Sequence, residues 1–213
     1  MPPILAPGEE RKLIDALEAA LQDTSAPKYL KYLRDALLFS FGLYAGLRIG
    51  ECTALKISNV AWEGKRMPTL FIQKGFWKNC LEAHIPWHPT LGRLIDLWLP
   101  HRLKMLPEGV IDGILLINRK HAIRQDRAIS RPGVTYMIRF WSAKAKIKPF
   151  IFHLMRHTFG SRIAGQGSAN LSEAQHLLRH RSLRSTQVYL FAPQESLNKV
   201  FEKAYEDSPV MRV

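Results

Sequence analysis

A chain of 213 residues with 46% hydrophobic residues and scattered Trp and Phe can build one domain with a sizeable core, which excludes a disordered tail or linker. No run approaches the roughly 18 apolar residues of a membrane span, Met1-Pro-Pro-Ile is not a signal peptide, and Cys52 and Cys80 form neither a disulfide framework nor a metal cluster. The expectation is a cytoplasmic protein with no membrane partner. The charge is uneven. Of a net +13, the stretch from Arg119 to Tyr189 carries 14 Lys/Arg against Asp126 and Glu173, leaving 17 against 16 elsewhere. A solvated face mixes signs, whereas a one-signed field on a folded domain is the footprint of a polyanion, DNA or RNA.

In chain order the pattern is mostly helical. Pro7-Gly-Glu-Glu opens a helix with Leu13, Ile14, Leu17 and Leu21 on one face. After Thr24-Ser-Ala-Pro27, Tyr29 to Tyr44 is apolar enough to be a buried helix. Gly46 ends it, and Arg48 starts a short helix through Leu55. Ile57 to Trp62, Thr69 to Gln73 and Leu81 to Ile85, separated by two turns, predict a three-stranded antiparallel meander. Helices are then expected over 89–105, 133–146, 152–165, 171–180, 183–191 and 195–205, punctuated by Pro132, Pro149 and Gly165-Gln-Gly167. Segment 107–130 carries no clear period. The fold class expected is α+β, a mostly helical domain with a small sheet.

Two arginines, Arg48 and Arg156, two histidines, His153 and His180, and Tyr189 suit attack on a phosphodiester without a metal. Guanidinium groups grip non-bridging oxygens, imidazoles hydrogen-bond or move protons, and a phenol can be the nucleophile. Each residue also has a plain reading. Arg48 can simply pair with Glu51 on the same helical turn, and a tyrosine between Val188 and Leu190 is most often a packing residue. His153 and Arg156 share a helix face at i, i+3. The His153/His157 and His176/His180 pairs have zinc-like spacing but lack a third ligand and a nearby Glu, so His157 and His176 read as structural. A phenol with an ordinary pKa near 10 needs cations around it, and Arg156, Arg179, His180, Arg181 and Arg184 are candidates. Lys74 and Lys78 sit in a turn from which a lysine can reach a leaving oxygen, although turn lysines are commonly only solvated.

Together these pieces resemble the tyrosine recombinase (phage integrase) family. Ala45-Gly-Leu-Arg-Ile-Gly-Glu51 is similar to its first arginine box, Gln73-Lys-Gly-Phe-Trp-Lys-Asn79 to its hairpin-lysine segment, Phe152-His-Leu-Met-Arg-His-Thr-Phe159 to its His-x-x-Arg box, and Leu178 to Tyr189 to the box ending in its nucleophile. The match spans about residues 7–205. The resemblance implies the catalytic fold of that family. It also implies that Arg48 and Arg156 clamp the scissile phosphate with His180, that His153 assists proton transfer, that Lys74 protonates the leaving 5′ oxygen, and that Tyr189 forms a 3′-phosphotyrosyl link. No cofactor, metal or ATP is implied. The partners implied are a double-stranded DNA recombination site and a homo-oligomer, tetrameric on DNA and weak or monomeric without it.

Three departures from the family pattern stand out. Arg179 replaces the usual glycine, the Arg156–His180 segment is one residue longer, and the N-terminal DNA-clamping domain of about a hundred residues is absent. The expected organisation is therefore one catalytic domain over 1–213, with a core over 7–192 and a C-terminal helix and tail over 193–213. That helix carries Leu197, Val200, Phe201 and Ala204 as a stripe, suited either to its own domain or to a neighbouring protomer. Alternatives to a recombinase are a type IB topoisomerase-like relaxase, a catalytically impaired DNA-binding regulator, and a basic RNA-binding module.

Overall fold

The computed structural model describes residues 4–73, 82–118, 127–165, 171–179 and 194–206. Pro7 at the first helical position and Glu9 and Glu10 in the first turn start α1 (Pro7–Leu21), which turns Leu13, Ile14, Leu17 and Leu21 inward. α2 (Tyr29–Tyr44) is the central helix, buried along most of its length against α1, α4 (Pro89–Leu103) and α6 (Phe152–Gly165). A side-chain carbon added at Gly42 would lie 3.1 Å from the Met155 Cβ, so α2 and α6 touch closely there. Asp35 is buried in α2, where Arg34 (2.7 Å) and the Trp141 indole N–H (3.1 Å) satisfy it and tie the helix to α5 (Arg131–Ala145). α2 stops because Gly46 takes φ +57, a left-handed conformation that costs glycine nothing, and the chain turns directly into α3 (Ile49–Ala54).

The α+β class holds, but the expected three-stranded meander resolves into two separate two-stranded antiparallel sheets. β1 (Ala61–Trp62) pairs with β2 (Lys65–Arg66), and β3 (Thr69–Ile72) pairs with β4 (Ala83–Pro86). The reason is local. Ile57–Asn59 coils into a 3₁₀ turn instead of extending, and the Asn59 side chain accepts from the Lys56 amide (2.8 Å) while donating to the Phe71 carbonyl (3.0 Å). A side chain thus bridges to β3 where a ladder was expected. The period-free segment contributes isolated bridges, Lys56 to Ile114 and Ile117 to Ala128.

α7 (Leu171–Leu178) and α8 (Gln194–Ala204) complete the described elements. α8 packs on its own domain, against α6 and β4, burying Leu197, Val200, Phe201, Ala204 and Tyr205. The Tyr205 hydroxyl donates to the Leu43 carbonyl at 2.6 Å. Among the described residues, no helix is long and apolar enough to cross a membrane.

His88 sits beneath α8 and caps α4. Its Nδ1 accepts from the Thr90 amide (3.3 Å), and its ring stacks on Tyr44 at 3.9 Å. Burial, with Arg162 and Arg93 adding repulsion, pushes the imidazole down to about 3 from the ordinary 6.5. Between those values the unfolded chain binds the extra proton, so stability is complete above 6.5 and falls as pH drops through that window. His88→Asn keeps a capping oxygen without the titration. It is expected to show a flatter loss of stability toward about pH 4 in urea unfolding, the difference from wild type being on the order of a few kcal/mol. Parallel acid profiles for the two proteins would mean that another group titrates.

Candidate active site

The tight α2–α3 turn builds the first part of the site. Arg48 is the N-cap residue of α3, and Glu51, three residues on, accepts its backbone N–H at 2.8 Å through Oε2 and its guanidinium Nη1 at 2.9 Å through Oε1. The plain Arg48–Glu51 pair therefore exists. It does not use up Arg48, whose side chain keeps a third of its surface in solvent while Glu51 is fully buried.

α6 brings His153 and Arg156 to the same place. Arg156 is buried, with Nη1 donating to the Gly46 carbonyl and Nη2 to the Leu178 carbonyl, so it staples the α2–α3 turn to the end of α7. Burial pulls its pKa down to about 9, and Arg179 and Arg48 push the same way, with Glu51 opposing. Even so, the group is cationic near neutral pH. His153 is exposed, and the His157 ring meets it edge-on at 4.3 Å. Partial burial, then His157, Arg156 and Arg48, hold its pKa below the usual histidine value. The neighbouring cations disfavour the charged imidazolium.

Glu51 is the electrostatic hub. Burial raises its carboxyl pKa, but Arg179, the Arg48 amide, Arg156 and Arg48 outweigh that, leaving it below the ordinary value and ionised. The sequence marked Glu51 only as a partner for Arg48. Its position three residues after an N-cap was the available signal, while its second arginine, Arg179, comes from 128 residues away. Arg179 is fully buried, so its side chain is spent on internal partners.

The structure thus brings Arg48, His153 and Arg156 together. Lys74, His180 and Tyr189 lie outside the described residues, as do Lys78, Arg181 and Arg184. His176 is half-buried in α7, and its carbonyl accepts from the Arg179 amide at 3.1 Å.

The Phage integrase family model matches residues 5–195. Tyrosine recombinase XerC of Bacillus pumilus is 30% identical over 163 residues, covering 75% of this chain and 50% of the relative. XerC of Myxococcus xanthus is 26% identical over 189 residues, covering 87% and 59%. The chain therefore spans about half to three-fifths of the length of these curated relatives. Among solved structures, XerA recombinase superposes with a TM-score of 0.62 at 22% identity, over 95% of this chain and 65% of that one. XerH bound to difH in a pre-cleavage complex gives 0.63 at 21% identity, over 85% and 48%. With a family match that runs from residue 5 to residue 195, the chain belongs to the phage integrase family of tyrosine recombinases.

Proposed function

We propose that this chain is the catalytic part of a site-specific DNA recombinase that cuts and rejoins strands through a 3′-phosphotyrosyl intermediate. The observation that carries this is the convergence of Arg48 and Arg156 on the α2–α3 turn, with His153 one helical turn before Arg156. Two guanidinium groups meet the charge that develops on the non-bridging oxygens, the task that metal ions perform in other phosphoryl-transfer enzymes. In this reading the Tyr189 oxygen bonds to phosphorus and its proton passes toward His153. His180 adds a hydrogen bond to the phosphate, and the 5′ oxygen departs with a proton from Lys74. One phosphodiester is exchanged for another, so no ATP enters the balance.

Double-stranded DNA is the proposed partner. From Arg127 to Lys148 the chain has no acidic residue, and Arg127, Arg131, Arg139, Lys144, Lys146 and Lys148 are all exposed. Lys31 and Lys144 lie over the Phe140 ring, at 4.4 and 5.7 Å from its centroid, which holds two of the surface charges in place. A DNA-dependent tetramer is proposed for exchange between two duplexes. Sedimentation should show a monomer without DNA and a higher assembly with it, and a stable tetramer in protein alone would count against this.

The central test is a nicked duplex that traps the cleaved strand. Wild type should give a protein–DNA adduct on a denaturing gel. Tyr189→Phe should give none while binding the duplex with nearly unchanged affinity, because phosphate contacts by Lys and Arg supply most of it. Adduct from the Phe variant would remove Tyr189 as the nucleophile. Plasmid relaxation without any exchange product would place the chain with relaxing enzymes of the same chemistry.

A further inference from the structure

Arg179 is an anomaly on three counts. It ends α7 at φ +52, a left-handed conformation that a side chain with a Cβ adopts at a cost. Its side chain is wholly buried although it carries a full charge. It is also almost completely bonded: Nη1 donates to the Leu177 (2.9 Å) and Ala45 (3.4 Å) carbonyls, and Nη2 to the Gly46 carbonyl (3.0 Å) and to Glu51 Oε2 (2.9 Å), leaving Nε as its buried nitrogen with no partner among the described residues. A buried cation in a strained backbone position persists only where its surroundings require it.

The partners say what is required. Glu51 Oε2 takes Arg179 and the Arg48 amide, while Oε1 takes the Arg48 guanidinium. The Gly46 carbonyl takes Arg179 and Arg156 together. Arg179 therefore touches the immediate neighbour of each clamp arginine and neither arginine itself. We propose that Arg179 is a positioning residue: by occupying one oxygen of Glu51 it limits Arg48 to a one-armed pairing, leaving the rest of that guanidinium for a phosphate oxygen, and by sharing Gly46 it fixes the turn against which Arg156 is aimed. Without Arg179 the Glu51 Oε2 keeps the Arg48 amide but loses its competing guanidinium, which lets a second arm of Arg48 approach it in the bidentate geometry that guanidinium favours. The cluster would also fall from three cations and one anion to two and one. Both changes weaken the grip on a phosphate. The inference rests on the phosphate-clamp reading of the site.

The test compares wild type, Arg179→Gly and Arg179→Lys on two nicked duplexes, one with a normal scissile phosphate and one with a neutral methylphosphonate there. Glycine relieves the left-handed backbone, and lysine keeps a charge that reaches Glu51 at one point only. On the phosphodiester, Arg179→Gly is expected to lower single-turnover cleavage at saturating DNA by about tenfold to a hundredfold, with Arg179→Lys in between. Duplex affinity should barely change. On the methylphosphonate the three proteins should differ far less, because there is no anionic oxygen for Arg48 to hold. Equal losses on both substrates would make Arg179 a structural residue and overturn the proposal, as would full activity in the glycine variant. Should Arg179→Gly fail to fold, Arg179→Lys carries the same comparison. Should wild type form no adduct at all, the functional reading fails, and inorganic phosphate titrated against the arginine Nε–H signals decides the inference alone. Weaker binding by the variants, by about tenfold for glycine, sustains it, and equal affinity ends it.

Discussion

Glu51→Ala is expected to cost about 3–5 kcal/mol of stability, a large share of what a domain of this size possesses. The carboxylate is fully buried and answers two arginines at 2.9 Å each, one of them without solvent access. Removing it leaves Arg179 charged, buried and short of its only acidic partner among the described residues, which is the costly way to break a buried pair. Urea unfolding measures the loss. The decisive comparison is the double variant Glu51→Ala/Arg179→Gly, which removes both charges and should be more stable than Glu51→Ala alone. If the two losses simply add, the pair does not interact in the way its geometry implies.

Gly46→Ala should be nearly as severe, for a steric reason. At φ +57 alanine is already disfavoured, and its methyl would overlap the Phe159 ring, meeting Cγ at 2.9 Å and Cε1 at 2.8 Å. Phe159 is completely buried and packed with the Phe201 and Tyr205 rings of the α8 region, so it has little room to retreat. Overpacking and left-handed strain together suggest a loss of about 2–4 kcal/mol. Because the Gly46 carbonyl receives Arg156 and Arg179, any shift of this turn also displaces the proposed phosphate clamp. Activity should therefore fall further than the unfolded fraction explains. Gly46→Ala/Phe159→Leu should recover part of the stability; no recovery would point to backbone strain alone.

The helices were legible because their signals are local. Pro7 and Pro89 sit at first helical positions, Gly46 ends α2, and the apolar period of 13, 14, 17 and 21 is the face α1 buries. Ile57–Trp62 misled because an apolar, β-branched stretch reads as a strand, while Asn59 hydrogen-bonds locally and coils half of it. Arg48, His153 and Arg156 were legible as a set through their motif spacing. The junction behind them was not. Glu51 and Arg179 meet across 128 residues, and nothing within either local stretch announces the other. His88 was missed for a related reason, since a lone histidine gives no sequence sign that it will cap a helix under an aromatic lid.

The seating of α8 on its own domain sets a distance bound for the proposed reaction. Arg179 is locked into the clamp at one end, and the helix beginning at Gln194 is docked at the other. Tyr189 lies ten residues from the first anchor and five from the second. A chain spans at most about 3.6 Å per residue, so the backbone of Tyr189, the proposed nucleophile, lies within about 18 Å of Gln194. Under the proposed reaction, the grip of Leu197, Val200, Phe201 and Tyr205 on the core therefore limits how far the Tyr189 backbone can stand from the domain that carries Arg48 and Arg156. A change that loosens this helix is then expected to slow the proposed cleavage without altering any of the proposed catalytic residues.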